Sequence, residues 1–149
     1  MRYLRYGMLA AVVVLLAASC SDETPTEGPV TLVNQVDFDG RPVVGTFEVT
    51  EGTDVIGCSS GTFEDGRVNQ DTFDKVFTCE SGSSEGTFTF HFSIANPPTG
   101  PGDDNGSWTV AEGSGEFVGL QGAGEWSVVY TADLPEGVET YTGTVEYTP

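Results

Sequence analysis

The stretch Gly86-Thr87-Phe88-Thr89-Phe90-His91-Phe92-Ser93-Ile94 alternates without a break, and its reading decides the fold. Phe88, Phe90, Phe92 and Ile94 take one face and Thr87, Thr89, His91 and Ser93 the other, the period of a half-buried β-strand. Working outward, the same period predicts strands over Val43–Thr50, Val55–Phe63, Lys75–Cys79, Ser107–Ala111, Glu116–Leu120, Gly124–Thr131 and Thr140–Tyr147. Turn chemistry separates them at Glu64-Asp65-Gly66, Asn96–Gly102, Asp104-Asn105-Gly106 and Leu134–Gly137. No segment carries a sustained helical stripe. The chain is therefore all-β, with about eight short strands arranged as a sandwich or a barrel.

The run from Gly113 to Gly124 separates those two options, because Gly113, Gly115, Gly119, Gly122 and Gly124 punctuate a strand pair holding Phe117 and Leu120. Glycines inside strands mark the bends at which a sheet curls on itself. With Trp126 and the later Tyr141-Thr142-Gly143-Thr144, this run resembles the allene oxide cyclase and dirigent barrel superfamily, most clearly over Gly106–Tyr147 and especially its secreted bacterial members. The resemblance implies an antiparallel barrel of about eight strands with a largely apolar interior that can hold one small ligand. Some members of that superfamily cyclise or isomerise a bound hydrophobic substrate and others guide radical coupling. Only the glycine framework matches here; no position carries over their acid or base residues.

At the other end of the chain, Arg2 and Arg5 precede an apolar run from Met8 to Ala18, too short for the roughly 20 residues that span a bilayer. Leu16-Ala17-Ala18-Ser19-Cys20 resembles a lipobox, although that pattern more often has Leu where Ala17 stands. The resemblance implies a cleaved signal over residues 1–19 and a lipid on Cys20. Residues 20–29 read as a flexible acidic tether, and 30–149 as the barrel domain. Ser21, Asp22 and Glu23 look like the export tag of surface lipoproteins, so the expected address is the bacterial cell envelope, with the outer membrane or cell surface favoured over the inner membrane.

Without the signal, three basic residues face 23 acidic ones, a formal charge of −20. Arg41, Arg67 and Lys75 are too few and too scattered to make a phosphate-binding patch, which excludes nucleic acid. The same field repels anionic headgroups, so the membrane is reached through the lipid alone. Cys58 and Cys79, the two cysteines left, are expected to form a disulfide outside the cytoplasm. Their spacing matches no zinc or redox pattern, and no metal or cofactor is expected.

The motifs that suggest chemistry each have a plainer reading. Ser59 and Ser84 stand in Gly-x-Ser-x-Gly frames, but no helix follows either to make a nucleophile elbow. His91 is the one histidine, and alternation places it opposite the Phe row, on the outside. Asp103-Asp104-Asn105-Gly106 lacks the terminal Glu of a calcium loop and reads as a hairpin turn. The alternating threonines, Thr87 with Thr89 and Thr140 with Thr142 and Thr144, read as a solvated sheet face. Phe88, Phe90, Phe92, Trp108, Phe117, Trp126, Tyr130 and Tyr141 form the aromatic reserve from which a ligand cavity would be lined. The expectation is a lipid-anchored, non-catalytic binding or surface-interaction module, able to oligomerise and to take a small hydrophobic ligand. The alternatives are an isomerase-like or cyclase-like barrel enzyme and a passive acidic coat or stress protein. An apolar cavity on the order of several hundred cubic ångström that contains an inward carboxylate or His91 favours the enzyme, whereas a filled core favours an interaction module or coat.

Overall fold

The computed structural model describes residues 26–132 and 135–148, so the expected signal over residues 1–19 and Cys20 lie outside it. Eight antiparallel strands close into a barrel in simple up-and-down order: β1 (Glu27–Asp37), β2 (Val43–Glu51), β3 (Cys58–Arg67), β4 (Thr72–Gly82), β5 (Thr87–Ile94), β6 (Asp104–Gly113), β7 (Leu120–Tyr130) and β8 (Glu136–Tyr147). β1 completes the ring by pairing with β8 from Glu27↔Glu146 to Asp37↔Glu136. The ladder and core are contained in this segment, which therefore has what it needs to fold as a unit.

Inward positions follow the expected alternation. Phe88, Phe90 and Phe92 of β5 point to the lumen with Val30 and Leu32 of β1, Phe47 and Val49 of β2, Phe77 of β4 and Tyr141 and Val145 of β8, all buried. One end of this lumen is filled. A single-turn helix, α1 (Thr53–Ile56), presses Val55 and Ile56 into it, and a 3₁₀ turn over Gly115–Phe117 inserts Phe117, which is fully buried. The Cys58–Cys79 disulfide joins β3 to β4 at the same closed end, with a Cα–Cα distance of 5.9 Å. The chain also enters the barrel there: Glu27 opens β1, and Tyr147, at the end of β8, donates its hydroxyl to the carbonyl of Ile56 at 3.1 Å.

Five elements differ from the sequence expectation. β1 was not among the expected strands because the polar Asn34 occupies an inward position between Leu32 and Val36 and interrupts the apolar row. It starts at Glu27, so the last three residues of the expected tether belong to the sheet. Glu116–Leu120 is not a strand, since the glycines on either side make the reversal between β6 and β7, with Gly115 and Gly119 at φ +61° and +86°. Asp104-Asn105-Gly106 and Glu64-Asp65-Gly66 lie within β6 and β3 rather than in turns, because partner strands supply ladder bonds that outweigh local turn preference. Val55 and Ile56 sit in α1 instead of opening β3.

The glycines of β7 and β8 have a packing reason. A Cβ on Gly124 would stand 1.9 Å from the carbonyl oxygen of Thr142, and one on Gly143 would stand 2.7 Å from Cζ2 of Trp108. The bare backbone at this crossing lets the Nε1–Cζ2 edge of the Trp108 indole come up against it. Trp108 Nε1 donates to the carbonyls of Glu125 and Thr142 at 3.1 and 3.2 Å, while the ring stacks on Phe90 at 4.2 Å.

Candidate functional site

The end of the barrel opposite α1 is open. There the ends of β1, β3, β5 and β7 and the starts of β2, β4 and β8 surround a cavity of about 410 Å³. Its walls are aromatic: Phe73 stacks on Phe92 at 5.3 Å, Phe38 meets Tyr130 edge-on at 5.5 Å, and Trp126 packs against Phe92. Of the eight aromatics expected to line a cavity, Phe92, Trp126 and Tyr130 do so. Phe88, Phe90, Trp108 and Phe117 are packed solidly into the closed half, and Tyr141 stacks beneath Trp126. Phe38 and Phe73 complete the wall from strand ends, where alternation gives the least signal.

Two cross-strand pairs form the floor. Asp65 of β3 stands opposite Lys75 of β4, and Asn34 of β1 stands opposite Glu139 of β8. The pairs join across the lumen. Lys75 Nζ, with no exposed surface, lies 2.7 Å from Glu139 Oε2 and 2.9 Å from Asp65 Oδ1, and 3.8 Å from the centroid of the Phe63 ring. Glu139 Oε2 also accepts a hydrogen bond from Asn34 Nδ2 at 3.1 Å. Lys75 thus ties both carboxylates together, and the buried Asn34 Oδ1 has no hydrogen-bond partner. Asp65 and Glu139 face the cavity, and Lys75 sits behind them.

One ammonium between two carboxylates gives the floor a net charge of −1 when both acids are ionised. Burial pushes the Asp65 carboxyl up from its ordinary 3.8 to about 6; Lys75 opposes that rise and Glu139 adds to it. The folded protein thus holds this proton more tightly than the unfolded chain does. The resulting stability is fully present below about pH 4 and is lost as the pH climbs through 6, by about 3 kcal/mol for a shift of this size. Burial also raises the Tyr141 phenol, and the charges of Glu139 and Asp65 raise it further. Tyr141 is a neutral hydroxyl at every physiological pH.

The cluster was missed because each member has an ordinary surface look. Asp65 reads as a turn residue and Lys75 as one of three scattered cations. A signal was nonetheless available: Lys75 keeps step with Phe77 and Cys79, and Glu139 with Tyr141, Gly143 and Val145, so both are charges on an apolar face.

The remaining candidates lie elsewhere. His91 is on the outer face, half-buried, with Nδ1 2.7 Å from Asp74 Oδ1 on the neighbouring strand. Ser59 donates to the Ser81 carbonyl on β4, and Ser84 sits in the turn before β5. Asp103 and Asp104 hold the cavity rim in place: Asp103 Oδ2 accepts from the Tyr130 backbone N–H at 2.9 Å, and Asp104 Oδ2 from the Tyr130 hydroxyl at 2.7 Å. Among the described residues no group of acidic, His or Cys side chains has the arrangement of a metal site, and no helix is long and apolar enough to cross a membrane.

The class that this geometry defines is a closed antiparallel barrel with one plugged end and one open, aromatic-walled lumen. No protein-family model, curated protein or solved structure matches the chain.

Proposed function

We propose that the domain is an envelope-tethered module that captures a small, mainly hydrophobic molecule in the open end of its barrel. The observation that carries this reading is the aromatic-walled cavity of about 410 Å³ with two carboxylates, Asp65 and Glu139, at its floor. Apolar walls supply the free energy of transfer, and a few fixed polar groups orient the guest. The test is uptake of N-phenyl-1-naphthylamine, a neutral fluorescent probe of suitable size. Binding with enhanced fluorescence is expected, and Val43→Trp, which fills the cavity from its edge, is expected to weaken it at least tenfold. Equal binding by wild type and variant would show that the probe sits elsewhere.

A second reading, a barrel enzyme acting on a hydrophobic substrate, is favoured by Asp65. A cavity carboxyl with a pKa of about 6 can both give and take a proton near neutral pH. This reading agrees with what the allene oxide cyclase resemblance implies. Recovery of the natural guest chemically unchanged after incubation would remove it.

Lipidation of Cys20 is part of the proposal and gives the barrel an orientation. The chain joins the sheet at Glu27, at the closed end, so a lipid seven residues earlier places the plugged end towards the membrane and the mouth away from it. Several acyl chains on one cysteine would make the attachment effectively permanent. Cys20→Ala is expected to move the protein from the membrane to the soluble fraction and to abolish palmitate labelling; a variant that stays membrane-bound would refute the anchor.

A further inference from the structure

Only three Lys or Arg side chains follow residue 19, and all three lie at one end of the barrel. Lys75 is in the floor, neutralised by its two carboxylates. Arg41 and Arg67 line the cavity above it. Neither arginine makes an ion pair among the described residues, in a chain with 23 acidic side chains.

Both guanidinium groups are held instead by backbone carbonyls, which orient them without cancelling their charge. Arg41 Nη1 donates to the carbonyl oxygens of Gly40 at 2.6 Å and Phe38 at 3.0 Å. Arg67 Nη2 donates to the Gln70 carbonyl at 3.2 Å, and its guanidinium lies over the Phe73 ring at 5.5 Å. The remaining N–H groups of each fork have no side-chain partner among the described residues and suit an anion, the partner to which guanidinium is best fitted. A protein with this excess of acid would lose nothing electrostatically by pairing them internally, so it is informative that neither meets a carboxylate among the described residues.

We propose that the cavity takes a planar aromatic anion, its rings against the wall formed by Phe73, Phe92 and Trp126 and its acidic group at the rim against Arg41 and Arg67. This rests on the reading that the open lumen is the working surface, and it adds the ligand class. The floor sets the polarity of binding. Ionised Asp65 and Glu139 repel an acidic group placed deep in the barrel and so hold it at the mouth, while the aromatic walls accept the rings face-on and edge-on. The overall negative charge of the domain opposes approach of any anion, and the local arginines must outweigh it at contact.

The test compares two probes with the same ring system, 8-anilinonaphthalene-1-sulfonate and the neutral N-phenyl-1-naphthylamine, on the segment from Ser21 to Pro149, which contains the complete barrel. The sulfonate is expected to bind roughly tenfold or more tightly, the size of one good charge-assisted contact. In the Arg41→Gln, Arg67→Gln double variant that preference is expected to vanish, with neutral-probe affinity within about twofold of wild type. Retention of neutral-probe binding also shows that the variant has folded. If the neutral probe binds wild type as tightly as the sulfonate, or the preference survives in the double variant, the aromatic-anion assignment is wrong while the lumen reading stands. Failure of both probes to bind would overturn both.

Discussion

Lys75→Met is expected to destabilise the domain by about 3–5 kcal/mol near pH 7.5, because it removes the ammonium that two buried carboxylates share and leaves them facing each other without a counter-ion. Against a typical domain stability of roughly 5–15 kcal/mol, a loss of that size brings the variant close to unfolding. The mechanism makes the loss depend on pH. Near pH 4 Asp65, whose pKa burial holds at about 6, takes up its proton, the like-charge repulsion is relieved, and the deficit shrinks towards the roughly 1 kcal/mol of an ordinary substitution. Restoring neutrality by a second route is a sharper check: the triple variant Lys75→Met, Asp65→Asn, Glu139→Gln is expected to lie within about 2 kcal/mol of wild type at both pH values. Asp65→Asn alone isolates the burial effect. Because the wild-type carboxyl loses its proton between pH 4 and 7.5, the stability of this variant relative to wild type is expected to rise by about 3 kcal/mol across that window. Urea denaturation at the two pH values measures each of these. A Lys75→Met deficit that is the same at both would mean that lost packing, not uncompensated charge, is what the variant exposes.

The ion cluster also shows which parts of this protein can be read from its residues. Strand alternation gave the architecture because period two is a local property: Phe88, Phe90 and Phe92 declare an inward face without reference to any other segment. The glycines from Gly113 to Gly124 gave closure for a similar reason, although their own structure is a 3₁₀ reversal followed by a strand that lies bare against Gly143. Asp65, Lys75, Asn34 and Glu139 come from β3, β4, β1 and β8, and no local pattern brings them together. Only the closing pair of β1 with β8 does. The same Asn34 that completes the cluster is the residue that hid β1, since a polar group on an inward position looks like a broken strand until its partner across the ladder is known. The position of the cavity was likewise illegible, because it depends on which end is plugged. Val55, Ile56 and Phe117 plug one end from connecting segments, whereas at the other end, among the described residues, Phe38 stands in the wall and leaves the lumen open.

Reducing the Cys58–Cys79 disulfide is expected to lower stability by about 3 kcal/mol, the chain-entropy value for a loop of this length, since the two cysteines are 21 residues apart. For a domain of this size that corresponds to a fall in Tm of roughly 10 °C. The effect should be purely one of stability, because the bridge spans β3 and β4 beside α1, at the plugged end, whereas Asp65 and Arg67 lie at the far end of the same β3 strand. Probe affinity at 25 °C is therefore expected to remain within about twofold in the reduced, still-folded protein. The Cys58→Ala, Cys79→Ala variant should reproduce both results, which separates loss of the covalent link from any action of the reductant. Calorimetry with and without reductant reads the first quantity and probe titration the second. If reduction weakened binding at a temperature where the protein stays folded, the two ends of the barrel would be mechanically coupled, and the plugged half would be a working part of the site instead of its support.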